Sequence, residues 1–406
     1  MKHDMSRRHF MMSAALFSSV GFAPAFLTRA VEGAAPAIPG FKDDKVLVVV
    51  QLGGGNDGLN TIVPHSNDDY YRVRPGIGLK DNQLIRINDD ISANAKLKGF
   101  MDLYNNGEIA IVQGVGYPNP DRSHFRSMEI WHTASDSNEY LGDGWIGRYF
   151  DNCCEGAPRP QVGVALQDER PQAFDGTKGF GVVFDDPKSY GWQPGKGAAT
   201  PENFAHINAA GAPANDTVDF LRHVTSNAIM SSKEVREASE RGKAPTAAGR
   251  GADPLQTVAA LLRGNLETRI FYVSVSGFDT HANQLATHDR LLETVSNSLA
   301  KFQETLKHDG NADRVLTMVF SEFGRRVAQN ASGGTDHGTA APMFLVGSNV
   351  NAGVHGAMPS LTDLDNGDLK YTTDFRNVYS SVLAQWFNVD PGLVLGQTFQ
   401  PIPIIA

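Results

Sequence analysis

The apolar residues of this chain fall into short, β-branched runs separated by stretches with helical spacing. Lys45–Leu52 (KVLVVVQL), Ile109–Val115, Arg269–Val275, Val315–Phe320 and Met343–Val346 are near-continuous runs. Such runs suit strands buried on both faces better than strands with one wet face. Between them, apolar positions recur every three or four residues in Lys96–Asn106, from Ser123 through Trp131, in Pro254–Gly264 and in Gln284–Lys307. A further helix is predicted from Tyr371–Arg376 to Phe387. Strands alternating with helices predict an α/β fold, with a mainly parallel central sheet flanked by helices.

The middle of the chain breaks this rhythm. Residues 151–250 read as an irregular insertion, with Gln161–Leu166 and Gly179–Val183 as further strands. Lys188–Pro213 reads as a surface excursion, and Ser231–Asp253 as a helix followed by a loop. At the other end, residues 1–35 stand apart from the fold. Ser6-Arg7-Arg8-His9-Phe10 precedes a modest apolar run, Met11–Phe26, and then small-residue cleavage candidates. This is the pattern of a twin-arginine export signal, too short and too rich in Ser and Ala to span a membrane comfortably. It predicts passage through the twin-arginine machinery and a periplasmic or secreted protein, in one α/β domain over residues 36–406.

Composition narrows the function. A net charge of −9 offers no basic surface for nucleic acid. The only cysteines, Cys153 and Cys154, are adjacent. They could close one strained vicinal disulfide but no framework, and they read mainly as incidental.

The chemistry-bearing residues cluster where strands end. Asp57 follows the first strand in a glycine-rich turn, GGGNDGLN. That turn lacks both the GxGxxG spacing and a P-loop lysine, so it does not support a nucleotide-dependent oxidoreductase. Asp279 with His281, Glu322, and Asp336 with His337 stand at the ends of other apolar runs. Ser123 begins a helix, where free N–H groups favour an anion; a serine there also suits a plain helix cap. Carboxylates suit a hard divalent ion such as calcium or manganese, and zinc accepts a mixture of carboxylate and imidazole. Arg122, His124 and Arg325 are candidates for steadying a bound anion, and Arg325 with Arg326 equally for answering nearby carboxylates.

These motifs together resemble the exported family called domain of unknown function 1501, within the alkaline phosphatase and sulfatase superfamily. The resemblance rests on QLGGGNDGLN (51–60), VGYPNPDRSHF (115–125), GWIGR (144–148), GFDTHANQ (277–284), FSEFGRR (320–326), GTDHGTAAPMFLVG (334–347) and TDFR (373–376). It implies an alkaline-phosphatase-like fold holding two metals around a nucleophile. Residue by residue, it implies Ser123 as nucleophile and Asp57, Asp279, His281, Glu322 and His337 as metal ligands. Two departures stand out. Phe323 occupies the place of a metal-binding His, and Asp279 and His281 are closer together than usual. His288 or Asp336 are the candidates to fill the gap.

The expectation is therefore an exported, metal-dependent hydrolase of small or polymer-borne phosphate or sulfate esters. Its catalytic set would be Ser123, His124, Arg122 and Arg325. Its metal set would be Asp57, Asp279, His281, Glu322, Asp336 and His337. The alternative is a non-catalytic secreted protein of the same fold that binds a polysaccharide or a partner protein.

Overall fold

The structure, a computed structural model, describes residues 38, 40–155, 159–178, 181–191, 216–245 and 253–406, with the side chains of 216–226 left aside. The export signal expected over residues 1–35, and most of the excursion expected over 188–213, lie outside the described residues.

Nine strands form the central sheet: β1 Val46–Gly53, β2 Ile109–Gly116, β3 Gly163–Leu166, β4 Val182–Val183, β5 Ile270–Ser276, β6 Val315–Phe320, β7 Ala341–Val346, β8 Gly353–His355 and β9 Thr373–Asp374. Their order is β8-β2-β7-β6-β1-β5-β3-β4, with β9 also on β2. All pairings are parallel except those of β7, which runs antiparallel to both β2 and β6. The sheet is thus the mainly parallel one expected. Two strands from the region read as an insertion, β3 and β4, complete one side of it.

The continuous apolar pattern has a direct cause, since both faces of the sheet are covered. Along β1, Val46, Val48, Val50 and Leu52 point to one side, into a core with helices α1 (Lys98–Asn105), α5 (Pro254–Arg263) and α6 (Gln284–His308). Leu47 and Val49 point to the other side, into a core with α2 (His124–Thr133), α3 (Trp145–Cys153) and α7 (Phe375–Ser381). The remaining long helix, α4, is Asp216–Arg241. Among the described residues no helix is long and apolar enough to cross a membrane.

Cys153 and Cys154 are free thiols, not a disulfide. Burial pushes the Cys153 thiol up to about 11, which makes it a poor nucleophile.

Because β1, β2, β5 and β6 run the same way, their carboxyl ends share one edge of the sheet. The loops after them carry Asp57, Ser123, Asp279 with His281, and Glu322. Asp336 and His337 reach the same edge by the opposite route. They precede β7 rather than follow a strand, and the antiparallel course of β7 starts it there.

Candidate metal centre

Three imidazoles and one carboxylate converge at this edge. His124 Nδ1 lies 2.9 Å from Glu322 Oε1, His281 Nδ1 lies 3.3 Å from Asp336 Oδ1, and His337 Nδ1 lies 2.7 Å from the Arg122 carbonyl oxygen. Ionised carboxylates and carbonyls only accept, so each Nδ1 donates. In the neutral ring each Nε2 then carries a lone pair. All three Nε2 atoms turn toward Asp279. His281 Nε2 is 3.0 Å and His337 Nε2 3.2 Å from Oδ1, and His124 Nε2 is 3.5 Å from Oδ2. The Nε2 atoms of His281 and His337 are 3.0 Å apart.

Two lone pairs facing each other at that distance repel unless a cation lies between or beside them. A tetrahedral zinc site with bonds of about 2.0–2.1 Å has ligand–ligand edges of roughly 3.3–3.4 Å, and four of the separations here, each Nε2 to Asp279 and His281 to His337, are 3.0–3.5 Å. Among the described residues, His124, Asp279 and His337 offer ligand atoms that all lie within 4.8 Å of one another. Each ring also has the oxygen partner on its far nitrogen that metal-binding histidines use to fix tautomer and orientation. The residues present fit one divalent ion.

The electrostatics agree. Partial burial opposes ionisation of Asp279, but the Arg325 guanidinium at 2.6 Å outweighs it and holds the carboxyl down at about 2. The Glu322 carboxylate raises the pKa of His124 above its ordinary value, against the effect of burial.

Several expected residues have other occupations. Glu322 supports rather than faces the cluster. Its Oε1 also accepts from Gly54 N at 2.8 Å, and Ser321 Oγ lies 3.3 Å from Oε2. Asp336 likewise orients His281, while its Oδ1 accepts from Asn330 Nδ2 at 3.1 Å. Arg325, a candidate either to steady an anion or to answer a nearby carboxylate, is buried and does the second, pairing with Asp279 at 2.6 Å while donating to main-chain carbonyls: Gly55 at 2.7 Å, Thr335 at 2.9 Å, Phe278 at 3.1 Å, and Gly54. It ties the loops after β1, β5 and β6 together. Arg122 keeps a partly exposed guanidinium, 3.1 Å from buried Asp368.

Asp57 is withdrawn from the cluster. Its side chain and that of Arg74 are both fully buried, with Arg74 Nη1 2.7 Å from Asp57 Oδ2. Gln284 Nε2 donates to the same oxygen. Arg74 reaches Asn60 Oδ1 at 2.8 Å and the carbonyls of Val327 and Arg326, each at 2.8 Å. A guanidinium therefore fills an all-oxygen cage where the resemblance expects a cation, so Asp57 does not fit as a ligand. His288 belongs to this buried neighbourhood, with Nε2 2.9 Å from Asn56 Oδ1. It does not fill the gap left by Phe323. The Phe323 ring instead lies against His124 and His337, with centroids 4.9 and 4.8 Å away, as an apolar wall.

Ser123 is at the N-cap position of α2, yet its side chain makes no capping hydrogen bond. Its N–H is held by Asp121 Oδ1 at 2.7 Å and the residue is exposed, next in the chain to His124.

A mainly parallel α/β sheet with a His/Asp cluster at its carboxyl edge defines the class of this molecule. The chain belongs to the family described as "Protein of unknown function (DUF1501)", which matches residues 110–395. A search of curated proteins finds no match. Similar solved structures include the lipoteichoic acid synthase LtaP from Listeria monocytogenes, at 11% identity and TM-score 0.36, covering 93% of this chain and 80% of that one. A protein in the alkaline phosphatase superfamily from Vibrio parahaemolyticus is similar at 10% identity and TM-score 0.38, covering 98% and 80%. The C-terminal periplasmic domain of EptC from Escherichia coli is similar at 9% identity and TM-score 0.39, covering 91% and 94%.

Proposed function

We propose that this protein is an exported hydrolase of phosphate or sulfate esters that depends on one divalent ion. The observation that carries the reading is the set of three imidazoles, each fixed at Nδ1, whose Nε2 atoms converge on Asp279. A divalent ion held there supplies Lewis acidity toward the oxygens of the transferred group.

The chain's own residues supply the rest. Ser123 offers a hydroxyl not engaged in capping, at the start of a ten-residue helix whose free N–H groups favour a tetrahedral anion. In this reading it is the nucleophile. The Arg122 side chain, 41% exposed and held by Asp368, would in this reading meet a non-bridging oxygen. Phe323 keeps water from one side of the imidazoles. Export through the twin-arginine route, with a periplasmic or secreted destination, rests on Ser6–Phe10.

The second reading is a secreted binding protein of the same fold. It draws on the Asp57–Arg74 pair, which removes the two-metal arrangement that the resemblance implies.

Ser123→Ala separates the two. The variant is expected to keep its fold and its metal while hydrolysis of phosphate and sulfate esters falls by about 10³-fold or more. Unchanged hydrolysis would remove Ser123 from the mechanism. Absence of turnover on any ester by the metal-loaded wild type would favour the binding protein.

A further inference from the structure

Two clefts lie beside the metal centre, one lined by His124 and the other by Phe323, whose rings are in contact. The first, about 380 Å³, lies on the His124 side and is bordered by Phe125, Met128 and Glu129 of α2, with Gln51 and Gln172 also contributing. The second, about 340 Å³, lies on the Phe323 side, among Tyr117, Asn119, Thr339, Lys370 and Tyr371. Both are of the size of small-ligand pockets.

Their linings share a chemical character. Among the described residues, the exposed aromatic side chains are Phe125, Tyr140 and Tyr371, and Phe125 is 90% exposed. Phe125 belongs to the first cleft and Tyr371 to the second. Tyr140 lies against the guanidinium of Arg126, the residue after Phe125, at 3.8 Å. Two of the three exposed aromatic side chains thus line these clefts, one in each. Amides and hydroxyls stand beside them: Gln51, Gln172, Asn119 and Thr339.

Charge says what does not bind there. The first cleft contains Glu129 and Glu322 and neither Lys nor Arg. In the second, Lys370 is accompanied by Asp365 and paired with Asp363. A densely anionic polymer would meet no net positive charge in either cleft. A chain of uncharged, polyhydroxylated rings would meet flat apolar faces for its C–H surfaces and amides for its hydroxyls.

We propose that the two clefts are subsites for a neutral glycan laid across the metal centre, on which the ester is carried. The ester part rests on the reading above, but glycan binding requires no turnover and is tested apart from it. Saturation-transfer NMR on the full, metal-loaded chain would use uncharged maltohexaose, cellohexaose and chitohexaose as probes. At least one is expected to receive saturation from the wild type and to bind about fivefold more weakly to Phe125→Ala and to Tyr371→Ala, since each removes one stacking face. Phe125 is solvated, so its truncation leaves the core intact. Transfer to none of the three probes, or equal binding by wild type and Phe125→Ala, would overturn the proposal. Tighter binding of a heparin hexasaccharide than of all three neutral probes would also overturn it. Glycan binding without ester turnover would sink the hydrolase reading alone, and turnover of methyl phosphate or methyl sulfate without glycan binding would sink this one alone.

Discussion

At the level of single residues, the centre is organised by what lies behind the imidazoles. Glu322, Asp336 and the Arg122 carbonyl each hold one Nδ1, so the ring orientations do not depend on an ion being there. The sequence identified Asp279, His281 and His337 as metal-directed, and the structure brings them together. It marked His124 as an anion-steadying group, but the ring's Nε2 faces Asp279 as a fourth ligand would. Arg74 went unmarked. A buried arginine and a surface one look alike in sequence until the carboxylate that meets it is known. Its pairing with Asp57 yields a stability prediction. Arg74→Ala leaves an uncompensated buried carboxylate and should destabilise the protein by about 3–5 kcal/mol. The double variant Asp57→Ala/Arg74→Ala should cost less than the sum of the two single changes. Denaturant unfolding of the four proteins checks this, and strict additivity would mean that the pair is not coupled.

At the level of elements, the strand runs were legible because a sheet covered on both faces leaves no polar alternation to confuse with loops. Direction was not legible. Nothing in MFLV distinguishes an antiparallel strand from a parallel one, so Asp336 and His337 were read as following a strand when they lead into β7. The short strands β8 and β9 and helix α3 were also unread, being too brief or too aromatic to show a period. Two of the motifs that carry the resemblance are architectural. In GWIGR, Arg148 binds the carbonyls of Thr133, Asp143 and Val394. In TDFR, Asp374 caps α7 and pairs with Arg376. The glycine turn after β1 has a purpose the sequence only suggested. Gly54 and Gly55 adopt φ +119° and +81°, and their carbonyls receive Arg325. A Cβ on Gly55 would stand 2.3 Å from the Phe323 ring. Gly55→Ala should therefore cost about 1–3 kcal/mol from backbone strain alone, and more from the displaced ring. A urea midpoint unchanged from wild type would show that the turn tolerates a side chain.

At the level of the whole molecule, one topological fact produces the site. Four strands end, and an antiparallel fifth begins, at a single edge, so residues from 57 to 337 in the chain meet there. Open α/β sheets bind their ligands at that edge. The sequence conveyed this organisation through its strand–helix rhythm and the recurrence of Asp and His at run ends. It could not convey how many cations the edge holds, because that depends on a guanidinium arriving from a separate loop. Elemental analysis of the folded protein, with metal counted per chain, is the direct test of the metal centre. One divalent ion per chain is expected, lost in Asp279→Ala and retained in Ser123→Ala. Two ions per chain would contradict the assignment of Arg74 as the permanent cation beside Asp57. No ion, with none taken up on dialysis against zinc, manganese or calcium, would contradict the metal centre itself.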